Sequence, residues 1–110
     1  MKNIYLIFFF FLFSLGTNAT EDYSKYEIKE GNENAKVKIF IFESLTCPHC
    51  ADFHENIYPN LKSDFVDKGL VQIYFKNFPL DLAALNATKV THCLNEGKRL
   101  VFLHHLYEIQ

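Results

Sequence analysis

Four consecutive residues, Cys47-Pro48-His49-Cys50, bring together two thiols, a proline ring and an imidazole. The chemistry open to them is thiol–disulfide exchange. Two intervening residues in the first turn of a helix let the sulfurs approach disulfide distance. A thiol at a helix start faces unpaired backbone N–H groups and the positive end of the dipole, which favour its thiolate. His49 adds a positive or donor group beside Cys47 and lowers the thiol pKa further. Cys50, one turn in, is less exposed and suits the resolving role. Pro48 fixes the first turn and removes one competing N–H. A stabilised thiolate favours the reduced form, so the disulfide becomes oxidising, the property of a disulfide donor. No cofactor is implied.

Other readings compete for the same residues. A plain structural bridge is disfavoured because a four-residue loop constrains the unfolded chain little. Cys47, Cys50 and His54 approach one side of a helix and define a second reading, an exported copper- or zinc-binding module. A closed zinc site, however, usually needs a fourth ligand and a second knuckle, and neither is visible. Glu43, just before the site, is either a proton shuttle to Cys50 or a solvent-facing residue at a strand end. His54 is expected near the site rim, and His92, His104 and His105 as surface or packing residues. Cys93 reads as a small buried apolar residue, with pairing to a cysteine elsewhere as the alternative.

The elements around these residues follow from periodicity. Glu21–Lys29 is a polar lead-in with room for a short edge strand, and Gly31-Asn32-Glu33-Asn34 is a turn cluster. Residues 37–42 are expected as a strand buried on both faces, because Ile39 to Phe42 are all bulky and apolar. Thr46 is placed as the N-cap of a helix in which Phe53, Ile57, Leu61 and Phe65 recur at helical spacing, with Pro59 kinking or splitting it. Leu70–Phe75 is a second strand, parallel to the first because a helix joins them. Asp81 caps a helix running to about Glu96 with Gly97 as its stop, and a last helix follows from Lys98. Phe40, Phe42, Phe53, Phe65, Phe75 and Phe78 read as core.

The chain has 110 residues, a formal charge of -2 and 49% hydrophobic residues. That length admits one small domain or part of a larger one and excludes a multidomain enzyme. The charge balance excludes a nucleic-acid binder, which needs a clustered basic face. Lys2, the apolar run from Ile4 to Leu15 and the small residues Gly16 to Ala19 describe a secretory signal peptide over 1–19. The run is too short for a membrane span of ~20 residues, so no stable membrane association is expected once it is removed. All three cysteines then lie in an export compartment where disulfides persist, periplasmic or secreted. The last helix is still running at Gln110, and two strands are too few to bury their faces. The chain is therefore expected to be the front portion of a longer protein, which keeps a third reading open, an inactive truncated product.

The segment from Phe42 to His54, Phe-Glu-Ser-Leu-Thr-Cys-Pro-His-Cys-Ala-Asp-Phe-His, resembles the active-site segment of DsbA-like thiol:disulfide oxidoreductases of the thioredoxin superfamily. Gly31 to Val37 resembles the turn before that family's active-site strand, and Phe75 to Asp81 its second-strand exit. The resemblance implies an α/β thioredoxin-like fold with a helical insertion, ending here before the cis-proline loop and last strands. On this reading 20–36 is a lead-in, 37–80 the first part of the thioredoxin-like domain and 81–110 the start of the insertion. The resemblance also implies an exposed nucleophile at Cys47, a resolving Cys50 and thiolate stabilisation by His49. Its implied partners are exported proteins with free thiols and a re-oxidising or reducing redox partner. Pro48, Pro59 and Pro79 are the only prolines, and none lies where the family's cis-proline loop would be.

Overall fold

The structure, a computed structural model, describes residues 21–110; the signal peptide expected over 1–19 lies outside them. A single 3-10 turn, Tyr23–Tyr26, leads into a three-stranded sheet. Its strands are β1 (Ile28–Gly31), β2 (Val37–Glu43) and β3 (Val71–Asn77), in the order β1-β3-β2. β1 runs antiparallel to β3, with Ile28 opposite Phe75 and Gly31 opposite Gln72. β2 runs parallel to β3, from Val37 opposite Val71 to Glu43 opposite Asn77. The expected edge strand and parallel pair are both present.

The central strand is β3, and it is the one buried on both faces. Val71, Gln72, Ile73 and Phe75 are all buried. β2 lies at an edge, contrary to the expectation that it is covered on both sides. Its odd residues Ile39 and Ile41 pack on the core, whereas Phe40 and Phe42 are 52% and 69% exposed. Phe40 stacks on Tyr74 at 4.9 Å across the outer face. The expected aromatic core is correspondingly smaller: Phe75 is buried and Phe53 packs against the core, while Phe65 and Phe78 are also exposed. Gly31 closes β1 at φ +102, and a Cβ there would lie 2.6 Å from the Val71 carbonyl oxygen. Only glycine fits both the dihedral and that approach.

Between β2 and β3 runs the helix that opens at the cysteine pair. It comprises α1 (Pro48–Asp52), a π-helical turn (Phe53–Ile57), α2 (Tyr58–Leu61) and a second π-helical turn (Lys62–Val66). Pro59 has no N–H to give to the preceding turn, so the expected interruption takes the form of a shifted hydrogen-bond ladder. The helix keeps Cys50, His54 and Tyr58 on its inner side at four-residue spacing, with His54 and Tyr58 buried.

Two further helices follow, α3 (Leu82–Cys93) and α4 (Glu96–Glu108). Asp81 caps α3 as expected, its carboxylate accepting from the Ala84 N–H at 2.7 Å. Gly97 stops nothing: α3 ends at Leu94 and Gly97 lies in the first turn of α4. α4 brings Leu103 and Tyr107 onto the sheet side of the fold, where they join Ile28, Leu45, Tyr58, Val66, Ile73 and Phe75 in one core. Complete burial of Ile73 and Leu103 stabilises the fold by about 1.5–3 kcal/mol each.

Candidate active site

β2 delivers the chain to the site. Its odd-numbered residues share one face, so the pleat that buries Ile39 and Ile41 also turns Glu43 inward, where it is 3% exposed. The solvent-facing alternative for Glu43 is therefore wrong. After a turn through Ser44-Leu45-Thr46, Cys47 occupies the N-cap of α1 with Pro48 in the first helical turn. Thr46 does not cap this helix as expected. Its hydroxyl instead donates to the Asp81 carboxylate at 2.7 Å, tying the active-site turn to the start of α3. The Ala84 N–H, the Thr46 hydroxyl and, more weakly, the Ala83 N–H hold the Asp81 carboxyl below its ordinary value.

The two sulfurs are both partly buried, and Pro48 and His49 between them are exposed. Hydrogen bonds from the Cys50 backbone N–H and side chain, with a further one from the His49 backbone N–H, hold the Cys47 thiol below its ordinary value. Burial pushes the Cys50 thiol up, and the charges of Cys47 and Glu43 add to the rise, against a lowering hydrogen bond from the Ser44 backbone. The two thiols are thus perturbed in opposite directions, Cys47 down at the helix start and Cys50 up behind it, the sense that favours exchange. His49 contributes here through its backbone N–H.

Behind Cys50 lies a cluster that sequence reasoning did not assemble. His54 is buried, not at a rim: its Nε2 lies 2.7 Å from Glu43 Oε2 and its Nδ1 3.2 Å from His104 Nδ1. Tyr107 stacks on the His54 ring at 4.1 Å and Tyr58 on the His104 ring at 4.7 Å. Burial, and next the charge of His54, lower His104 to about 4. Burial, with the charge of Glu43 adding, pushes the Tyr107 phenol well above its ordinary range. His104 sits fifty positions beyond His54, so no local spacing pairs them. The available signal is the helical repeat Leu100, Leu103, Tyr107, which places the adjoining His104 close to the inner face of α4.

The metal reading loses its third ligand, because both ring nitrogens of His54 are engaged by Glu43 and His104. Among the described residues no group of three or more His, Cys, Asp or Glu side chains is placed to hold an ion. Cys93 is exposed at the end of α3, not a buried packing residue. His92, expected as a surface or packing residue, is half-buried and paired with Asn77 at 2.7 Å.

A cysteine pair thus stands at the junction of a parallel strand and a helix on a thioredoxin-like sheet, with one thiol lowered and the other raised. Comparison with known proteins agrees. A family model described as Thioredoxin matches residues 23–110. A curated Bacillus anthracis protein named "Probable disulfide bond formation protein D" is 33% identical over 85 residues, covering 73% of this chain and 39% of that protein. The crystal structure of Wolbachia pipientis alpha-DsbA1 superposes with a TM-score of 0.68 at 30% identity, over 74% of this chain and 41% of that one. Oxidised BdbD from Bacillus subtilis does so with a TM-score of 0.66 at 30% identity, over 78% and 49%. The chain belongs to the thioredoxin family and is similar to its DsbA-like members. It spans less than half the length of each of these relatives.

Proposed function

We propose that the protein is an exported disulfide donor working through Cys47 and Cys50. A substrate thiolate attacks Cys47 Sγ of the oxidised pair, and the Cys47–Cys50 bond breaks as the mixed disulfide forms. Cys50 leaves as a thiolate and takes up a proton. The second substrate thiolate then attacks the substrate sulfur of the mixed disulfide and expels Cys47 as its stabilised thiolate. The substrate gains a disulfide, and the pair is left reduced by two electrons until a redox partner re-oxidises it.

The observation that carries this reading is the placement of the pair, Cys47 at the N-cap of α1 and Cys50 within its first turn, to which the opposed perturbation of the two thiols adds. Pro48 sets the turn that allows it, His49 lends its N–H to the Cys47 sulfur, and Glu43 serves Cys50 as the nearby proton carrier. Substrates are exported proteins with free thiols. The leader-like sequence of residues 1–19 supports a periplasmic or secreted location. Among the described residues no helix is long and apolar enough to cross a membrane.

Cys47→Ser tests the assignment. The variant is expected to lose all oxidation of a reduced dithiol peptide, and oxidation at the native rate would remove Cys47 from the mechanism. Export is tested by the mass of the protein recovered from its source, which should lack residues 1–19.

A further inference from the structure

The buried cluster behind Cys50 contains a continuous hydrogen-bonded string. Glu43 Oε2 meets His54 Nε2 at 2.7 Å, and His54 Nδ1 meets His104 Nδ1 at 3.2 Å. Three buried side-chain atoms have no hydrogen-bond partner among the described residues: Glu43 Oε1, His104 Nε2 and the Tyr107 hydroxyl. Two of the three are the opposite ends of this one string. A structural network is normally satisfied throughout, because each orphaned buried polar atom is destabilising. A string satisfied in the middle and open at both ends is suited to passing protons.

Its ends also lie in the right places. At the inner end, Glu43 meets His54, the residue one helical turn after Cys50 on the inner side of the helix, and Cys50 packs against the same core. At the outer end, His104 and His54 line a cavity of about 580 Å³ with Glu55, Lys62, Tyr107 and Glu108. We propose that Glu43, His54 and His104 form a proton wire joining this cavity to the thiol of Cys50. This inference rests on the reading of Cys50 as the resolving cysteine with Glu43 as its proton carrier.

The proton count closes. With Glu43 ionised, His54 donates from Nε2 and accepts at Nδ1 from the Nδ1–H of His104, whose Nε2 is a bare lone pair. When Cys50 leaves as a thiolate, one proton enters at His104 Nε2. The His104 Nδ1 proton passes to His54 Nδ1, the His54 Nε2 proton passes to Glu43, and the carboxyl group protonates Cys50. The string is left reversed, with a bare His54 Nε2 facing the Glu43 carboxylate. That repulsion is relieved when the proton travels back along the string. Re-oxidation returns one proton along the same path, and both rings recover their first tautomers without flipping. The groups facing the wire are Tyr107 and Glu108 from α4, Tyr58 and Lys62 from the helix of the cysteine pair, and Cys47 and Cys50 at its head.

The test follows glutathione release when reduced chain reacts with oxidised glutathione and Cys50 resolves the mixed disulfide at Cys47. His104→Gln keeps a hydrogen bond to His54 but cannot relay a proton, and should slow release about tenfold, a fraction of the ~10²–10⁴ that general acid–base catalysis supplies. In the unmodified chain, the rate in mixtures of H₂O and D₂O should curve with deuterium fraction, as it does when several protons move together. A linear dependence overturns the wire, whether or not the variant folds. A His104→Gln rate equal to wild type overturns it as well. In that case a slowed Glu43→Gln leaves Glu43 as the carrier without the wire, whereas an unaltered Glu43→Gln removes Glu43 from the reading altogether.

Discussion

The imidazole of His54 lies flat against the phenol ring of Tyr107, with centroids 4.1 Å and planes 11° apart, and the Tyr107 hydroxyl is buried without a partner among the described residues. The ring and the hydroxyl therefore make separate contributions. The ring packs on His54 and closes the core, and such contacts are worth about 0.5–1.5 kcal/mol beyond their buried area. The hydroxyl is a buried polar group left unsatisfied, at a cost of about 1–3 kcal/mol. Tyr107→Phe is expected to match or exceed the wild type in chemical denaturation, whereas Tyr107→Leu loses stability. A Tyr107→Phe variant less stable by more than about 1 kcal/mol would show that the hydroxyl is satisfied after all.

His104 sets an acid limit on the fold. Its ordinary value is 6.5, and burial together with His54 lowers it to about 4. Between these values the unfolded chain takes up a proton that folded His104 refuses, so its part in stability falls as the pH drops from 6.5 towards 4 and is constant below. A shift of that size corresponds to about 3 kcal/mol. His104→Phe should flatten the loss of stability over that interval in denaturation series at fixed pH. A variant whose profile parallels the wild type through the window would place the acid sensitivity elsewhere.

Much of this arrangement is legible in the sequence because it is local. The Cys-Pro-His-Cys turn, the Asp81 cap and the parallel pairing of β2 with β3 depend on residues a few positions apart or on a general rule of handedness. What depends on long-range partners is misread. Ile39 to Phe42 is apolar enough for a central strand, but β1 takes the far edge of β3 and leaves β2 outermost. Gly97 has the composition of a helix stop, yet Leu94 leaves the helix three residues sooner. Glu43 carried a usable signal, since it continues the Ile39 and Ile41 alternation onto the buried face. His104 carried none of its own, and only the packing of α4 brings it to His54.

The lowered Cys47 thiol can be attributed group by group. Cys50 provides the leading contributions, from its backbone and then its side chain, and His49 adds a weaker one through its N–H. Cys50→Ala removes the side-chain part, whereas His49→Ala leaves the backbone N–H in place. Thiolate absorbance titrations should therefore show Cys47 rising in Cys50→Ala and staying near the wild type in His49→Ala. The reverse order would assign the stabilisation to the His49 imidazole.

Glu43 and His54 are a pair in which each partner's removal strands the other. Their side chains are 2% and 5% exposed and 2.7 Å apart. Glu43→Ala leaves the His54 Nε2 donor buried without an acceptor, which typically costs about 1–3 kcal/mol on top of the lost hydrogen bond. Glu43→Gln keeps an acceptor oxygen at the same reach, so its cost should stay near the ~1 kcal/mol of an ordinary hydrogen bond. Urea denaturation of the two variants distinguishes a stabilising hydrogen bond from a requirement for charge. If Gln is as damaging as Ala, the buried site depends on the carboxylate's charge, and His54 is held there as an imidazolium. If Gln is tolerated while exchange through Cys50 slows, the same carboxylate is structurally replaceable but chemically required, the outcome expected of a group that carries a proton.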